Sequence, residues 1–119
     1  MNYKFEKLEV WKLAIKFSDI AYEIADKLPE HERYNLNSQL RRASTSIALN
    51  IAEGSTGQSN AEQSRFLSFA IRSHVEVVAC LRLIQERNYL DQDDELINNF
   101  ERFGPELFAK LNAFKKALN

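Results

Sequence analysis

Residues Gln39 to Gly54 read QLRRASTSIALNIAEG, and the spacing within this stretch decides the fold. Leu36, Leu40, Ala43, Ile47 and Ile51 recur at steps of three and four, which places them on one face of a helix. Gln39, Ser46, Asn50 and Glu53 recur at similar steps on a narrow stripe beside that face. Gly54 is expected to end the helix, because glycine takes the left-handed conformation that a helix terminus often needs. An amide, a hydroxyl, a second amide and a carboxylate flanking a core are costly to bury unless each bonds a partner. This helix is therefore built to bond something polar, in its own bundle or in a neighbouring subunit.

Working outward, the pattern predicts three more helices. The first spans Phe5 to Leu28 and stops at Pro29. It carries two apolar stripes, one through Val10, Ala14, Phe17, Ala21, Ile24 and Leu28, the other through Leu8, Trp11, Ile15 and Tyr22. One such face is enough for a surface helix, so the second predicts contact with two helices or with another subunit. Leu49, away from the core face of the second helix, points the same way. Gly54 to Gln58 (GSTGQ) reads as a connection that lacks the ending of a phosphate-binding loop. Ser59 with Glu62 fits a capping box opening a third helix that runs to about Arg87. Its inner face holds Phe66, Ala70, Ser73, Val77, Cys80, Leu81 and Ile84. A second patch holds Leu67, Ile71, Val75 and Val78, with His74 beside it. Arg72 and Glu76, four apart, are placed to pair. Asp91, Asp93 and Asp94 precede a fourth helix and suit its dipole. That helix carries a seam of Leu96, Phe100, Phe103, Leu107, Leu111, Phe114 and Leu118. Gly104-Pro105 is expected to interrupt or kink it, because proline removes an amide.

Composition agrees with this reading. The chain has 119 residues, 45% of them hydrophobic, with only three glycines and two prolines, which favours a few long helices in one domain, residues 1–119. The net charge of −1 supplies no global field to recruit nucleic acid. Residues 36–87 nevertheless carry six basic groups against four acidic, and all six are arginine: Arg41, Arg42, Arg65, Arg72, Arg82 and Arg87. Guanidinium groups suit carboxylate or phosphate at an interface. The single Cys80 excludes an internal disulfide and reads as a small buried hydrophobe, in keeping with a reducing cytoplasm. Met1 to Leu8 is polar and charged, so no signal peptide is expected, and no apolar run approaches a membrane span.

Catalytic chemistry is not signalled. Neither His31 nor His74 has a Glu three residues before it, as a di-iron bundle would need. One cysteine is too few for a structural zinc site. Cys80 and His74 are too far apart along their helix to act as a nucleophile and base. Glu53, Glu62 and Glu76 are able to converge near Ser73 and Asn50, but with Arg42 and Arg72 close by the pattern favours a structural polar network. No catalytic residue, metal ligand or cofactor is expected. No RNA-binding motif is present, and the aromatic residues fall on core faces.

The run QLRRASTSIALNIAEG resembles the signature of the bacterial four-helix-bundle family named for the 23S rRNA intervening-sequence protein. The wider family includes the accessory variability protein of diversity-generating retroelements. FEKLEVW at Phe5 to Trp11 and LPEHERYNL at Leu28 to Leu36 resemble the family's start and first connection. RFLSFAIRSHVEV from Arg65 to Val77 is similar to its third helix, with Ser73 and Glu76 matching a Ser-x-x-Glu element. The resemblance implies an antiparallel up-down-up-down four-helix bundle, a ring-like homopentamer and a non-enzymatic role. It further implies structural or interface roles for Gln39, Arg42, Ser46, Asn50, Glu53, Ser73 and Glu76. Retroelement members of the family bind nucleic acid and a reverse transcriptase. The corresponding expectation here is an RNA or DNA contact through Arg41, Arg42, Arg65 and Arg72 on the assembled ring. Two departures weigh against that contact: Ser55 to Asn60 is uncharged where the family is often basic, and the chain is slightly acidic overall. The expected partners are therefore further copies of the chain, then RNA, DNA or another protein, and no membrane.

Overall fold

Local chemistry sets the helix boundaries. In the computed structural model, which describes residues 2–57 and 59–119, Leu8 adopts an extended conformation and separates a 3-10 turn, Lys4–Lys7, from α1, Glu9–Asp26. The first helix is thus shorter at its start than its periodicity predicts. Pro29 disfavours helix in the residue before it, and two further turns follow: a 3-10 turn at Glu30–Glu32 and a wide π-type turn at Arg33–Asn37. α2 then runs Ser38–Gly54. α3, Asn60–Glu86, opens on Ser59, whose Oγ accepts from the Glu62 amide at 3.1 Å. The Glu62 carboxylate is engaged by Arg65 at 2.6 Å, so only the serine half of the expected capping box is formed. α4, Glu95–Ala117, opens on Asp94, which accepts from the Leu96 amide at 2.8 Å. Asn88, with φ of 59°, reverses the chain between α3 and α4, a conformation asparagine tolerates better than most residues.

Two expectations are corrected. Gly54 is the last residue of α2, and the positive-φ glycine is Gly57. Gly54 is there for space: a Cβ on it would lie 2.8 Å from Phe66 Cβ on α3. Gly104-Pro105 does not interrupt α4, which is one helix on both sides of Pro105. Ile97, Phe100, Gly104, Leu107 and Leu111 are buried in unbroken three- and four-residue steps. Core burial before and after the proline holds one helical register across the missing amide. The expected connection Gly54–Gln58 is described as far as Gly57, and Met1 and Gln58 lie outside the described residues.

All four long elements are helical, and the described residues contain no strand. α1 packs on α2 and on α4, and α3 packs on the same two helices. Side chains tie the pairs together. Tyr22 and Thr45 hydroxyls meet at 3.0 Å across α1 and α2, and Ser73 donates to Ser46 at 3.0 Å across α3 and α2. At the two ends of α1, Glu9 pairs with Lys110 at 2.7 Å and Lys27 with Asp94 at 3.0 Å. A helix of 27 residues is about 40 Å long at a rise of ~1.5 Å per residue, which accounts for the 43 Å long axis of the 43 × 25 × 25 Å molecule. Phe17 and Phe100 meet at the centre with ring centroids 4.8 Å apart. Cys80 is buried. Among the described residues no helix is long and apolar enough to cross a membrane.

Candidate functional site

The polar stripe of α2 divides in the folded chain. Ser46, Asn50 and Ser73 come together: Asn50 Nδ2 donates to the Ser46 carbonyl at 2.8 Å and to its Oγ at 3.0 Å, while Ser73 Oγ donates to the same Oγ. These half-buried groups satisfy one another across the α2/α3 seam. Gln39 belongs elsewhere, donating to Asn35 Oδ1 at 3.1 Å. Arg42, Glu53 and Glu76 are exposed, and no ion pair among the described residues includes them. The expected Arg72–Glu76 pair is likewise not formed. The expected convergence of Glu53, Glu62 and Glu76 on Ser73 and Asn50 does not occur: Ser73 and Asn50 bond Ser46, Glu62 turns to Arg65, and Glu62 and Glu76 stand about 20 Å apart along α3 at a rise of ~1.5 Å per residue. The described residues contain no group of three His, Cys, Asp or Glu able to hold a metal ion.

The four arginines singled out for nucleic-acid contact are not equivalent. Arg41 is committed to the fold: Nε donates to Asn37 Oδ1 at 2.7 Å, a terminal nitrogen to Asp26 Oδ1 at 2.5 Å, and the guanidinium lies 4.8 Å from the Tyr22 ring centre. Arg65 pairs with Glu62 and lies over Phe66 and Phe69. Arg42 and Arg72 are exposed on α2 and α3. Half of the proposed cationic set is thus already engaged within the chain.

Gln39 leads into a network that its spacing did not reveal. Asn35 Nδ2 donates to Glu32 Oε1 at 3.0 Å, and Tyr89 Oη donates to Glu32 Oε2 at 2.8 Å. His31 Nε2 lies 3.0 Å from Tyr89 Oη and, with the tyrosine proton given to Glu32, acts as donor. Glu32 is only 5% exposed, so its carboxylate needs these partners. The network clasps the α1–α2 connection to Tyr89 in the α3–α4 connection. It also holds the Glu32 carboxyl below its ordinary value of 4.5: the Tyr89 bond is the largest cause, Asn35, the Leu36 amide and the Arg87 charge add to it, and burial opposes it. A depressed carboxyl pKa means that the unfolded chain binds the proton more tightly. The stability it contributes is therefore present above about pH 4.5 and lost as pH falls through the lowered value. Tyr89→Phe removes the largest cause. Urea midpoints measured at pH 6 and pH 3.5 are expected to lie closer together in that variant than in the parent, and an unchanged gap would show that Tyr89 does not govern Glu32.

His74 is the other group that the sequence undervalued. Its spacing sets it beside an apolar patch, yet it is 3% exposed and central. Its ring stacks on Phe17 at 5.0 Å and 10°, and leans against Phe108 at 5.2 Å. Nε2 lies 2.8 Å from the Gly104 carbonyl, which only accepts, so Nε2 carries the proton. Nδ1 is then a buried acceptor, and it has no donor among the described residues. Leaving such a group unpaired costs about 1–3 kcal/mol. Burial lowers the pKa of the ring, and the Gly104 bond opposes that shift.

The family model described as 23S rRNA-intervening sequence protein matches residues 6–109. The chain belongs to that family. No curated protein matches the chain. Within this 23S rRNA-intervening sequence protein family member, the match spans α1, α2 and α3 entire and reaches Ala109 in α4. It contains the Ser46–Asn50–Ser73 cluster, the Glu32–Tyr89 clasp and His74.

Proposed function

We propose that this chain is a non-enzymatic binding and assembly module that works as a homo-oligomer of an up-down-up-down antiparallel bundle. The antiparallel reading rests on the side-chain ties, which join the end of α1 to the starts of α2 and α4 and the start of α1 to the second half of α4. Assembly rests on one observation, the exposed apolar row on the α1/α2 side. Ile15 is 41% exposed and Leu49 is 54% exposed, with Tyr22 between them in the chain and the half-buried Trp11 and Ala48 nearby. Burying such side chains is worth roughly 1.5–3 kcal/mol each when complete, and large exposed apolar patches mark contact surfaces. Phe69 and Leu83 on the outer edge of α3 are exposed as well, so two different sides of the bundle offer apolar contact. Two unlike surfaces suit a head-to-tail ring, which closes when the rotation between copies permits. A net charge of −1 opposes such association little. Five copies in the ring is what the family resemblance implies.

Light scattering tests this reading. The parent chain is expected at a multiple of 13.8 kDa, near five times that value for the ring. Leu49→Glu places a charge in the row and is expected to return the mass to 13.8 kDa with helical content retained. A parent chain that is monomeric at working concentration would end the proposal.

A further inference from the structure

A hollow of about 310 Å³ opens between α3 and α4. Val75 and Val78 wall it on α3, and Phe100, Pro105 and Phe108 wall it on α4. Gly104 and the buried His74 complete the lining at its floor. At the rim, Arg82 and Glu101 pair at 2.6 Å and neutralise each other. The site is therefore apolar, uncharged and large enough for a single or fused ring.

Its floor is unfinished. Buried polar groups in folded proteins are almost always bonded, yet His74 Nδ1 has no donor among the described residues. Nε2 cannot serve as an alternative, because it is held on the Gly104 carbonyl. A water molecule is a poor substitute, since a buried water wants about three polar partners and these walls are mainly hydrocarbon. Nδ1 is screened from solvent, and Phe108, a wall of the hollow that is 39% exposed, tilts against the imidazole with ring centroids 5.2 Å apart. We propose that the α3/α4 hollow binds a small neutral aromatic molecule bearing one N–H or O–H donor, of the indole or phenol class, whose donor reaches His74 Nδ1 as the Phe108 ring swings aside. The aromatic walls take the ring, the single acceptor takes the proton, and the self-neutralised rim gives no preference for ionised relatives. None of the residues lining the hollow is among those proposed for assembly on α1, α2 or α3, so loss of one leaves the other testable.

Calorimetric titration of the full chain with indole and with N-methylindole decides the matter, because the two differ in the donor and little in shape. The parent protein is expected to bind indole at least tenfold more tightly than N-methylindole. In His74→Phe, which keeps a ring against Phe17 but has no acceptor, the two are expected to bind alike. Val78→Phe fills the hollow and is expected to bind neither. Equal affinity for both probes in the parent, binding of neither, or undiminished indole binding by Val78→Phe would each overturn the proposal. If His74→Phe does not fold, the parent ratio and Val78→Phe decide it alone.

Discussion

Phe17→Ala is expected to lower stability by about 3–5 kcal/mol, the usual cost of removing a buried aromatic ring and leaving its volume unfilled. Phe17 is fully buried where α1, α3 and α4 meet. Its ring stacks on His74, packs against Phe100 and reaches to within 3.2 Å of where a Cβ on Gly104 would stand. Neighbours on two other helices cannot both close on the gap at once. Domains of this size have a total stability of about 5–15 kcal/mol, so this one change removes a large share. Urea unfolding followed by circular dichroism measures it, and a loss below about 1 kcal/mol would show that the centre repacks freely. The pH dependence should change as well. Because burial depresses the His74 pKa, the unfolded chain takes up that proton first, and the parent loses stability as pH falls from 6.5 through the lowered value. Opening the cover over His74 lets its pKa rise towards 6.5, so that slope should flatten in the variant.

Gly54→Ala is expected to cost about 1–3 kcal/mol, the usual range for an overpacked site, although alanine is the better helix former by about 1 kcal/mol. The two effects have opposite signs, and distance decides between them. The new methyl would stand 2.8 Å from Phe66 Cβ, an atom fixed to the backbone of α3 and unable to swing away. α2 and α3 must separate locally, which also strains the Ser46–Ser73 bond further along the same seam. Thermal unfolding checks the sign: the midpoint should fall by several degrees, whereas a rise would show that helix propensity wins. Gly104→Ala is the natural comparison. There the methyl meets the edge of the Phe17 ring at 3.2 Å, and a ring edge can tilt, so the loss should be smaller.

The helices themselves were legible in the sequence because periodicity is a local property. Leu40, Ala43, Ile47 and Ile51 announce the buried face of α2 without reference to anything outside it, and Leu49 falls outside that face on the same count. What the sequence did not carry was the reason for residues whose role depends on another helix. Gly54 looks like a terminator because glycine often is one, and only Phe66, reached across the α2–α3 connection, shows it to be a spacer. Pro105 looks like a break because proline removes an amide, and only the burial of Phe100 and Leu107 on either side shows why one register persists. His74 follows Ala70 by four and precedes Val77 by three, the spacing of a buried position, yet the inner face read from the sequence took its neighbour Ser73 and left His74 beside the second patch. Glu32 and Tyr89 are separated by the whole of α2 and α3, so no spacing rule could join them. Of the polar stripe, the Ser46, Asn50 and Ser73 cluster was implied by residue type, whereas the partners of Gln39 were not.

The order in which helices touch also bears on how the chain reaches this arrangement. Three of the four packed pairs, α1 with α2, α2 with α3 and α3 with α4, join neighbours in sequence. Such contacts enclose short loops, and the entropy lost in closing a loop grows with its length. The fourth pair, α1 with α4, brings together Glu9 and Lys110 from nearly opposite ends of the chain. Chains dominated by near-neighbour contacts fold quickly, and three of the four seams here are of that kind. The α1/α4 seam, with Phe17 and Phe100 meeting across it, encloses the longest loop of the four and so carries the largest closure entropy.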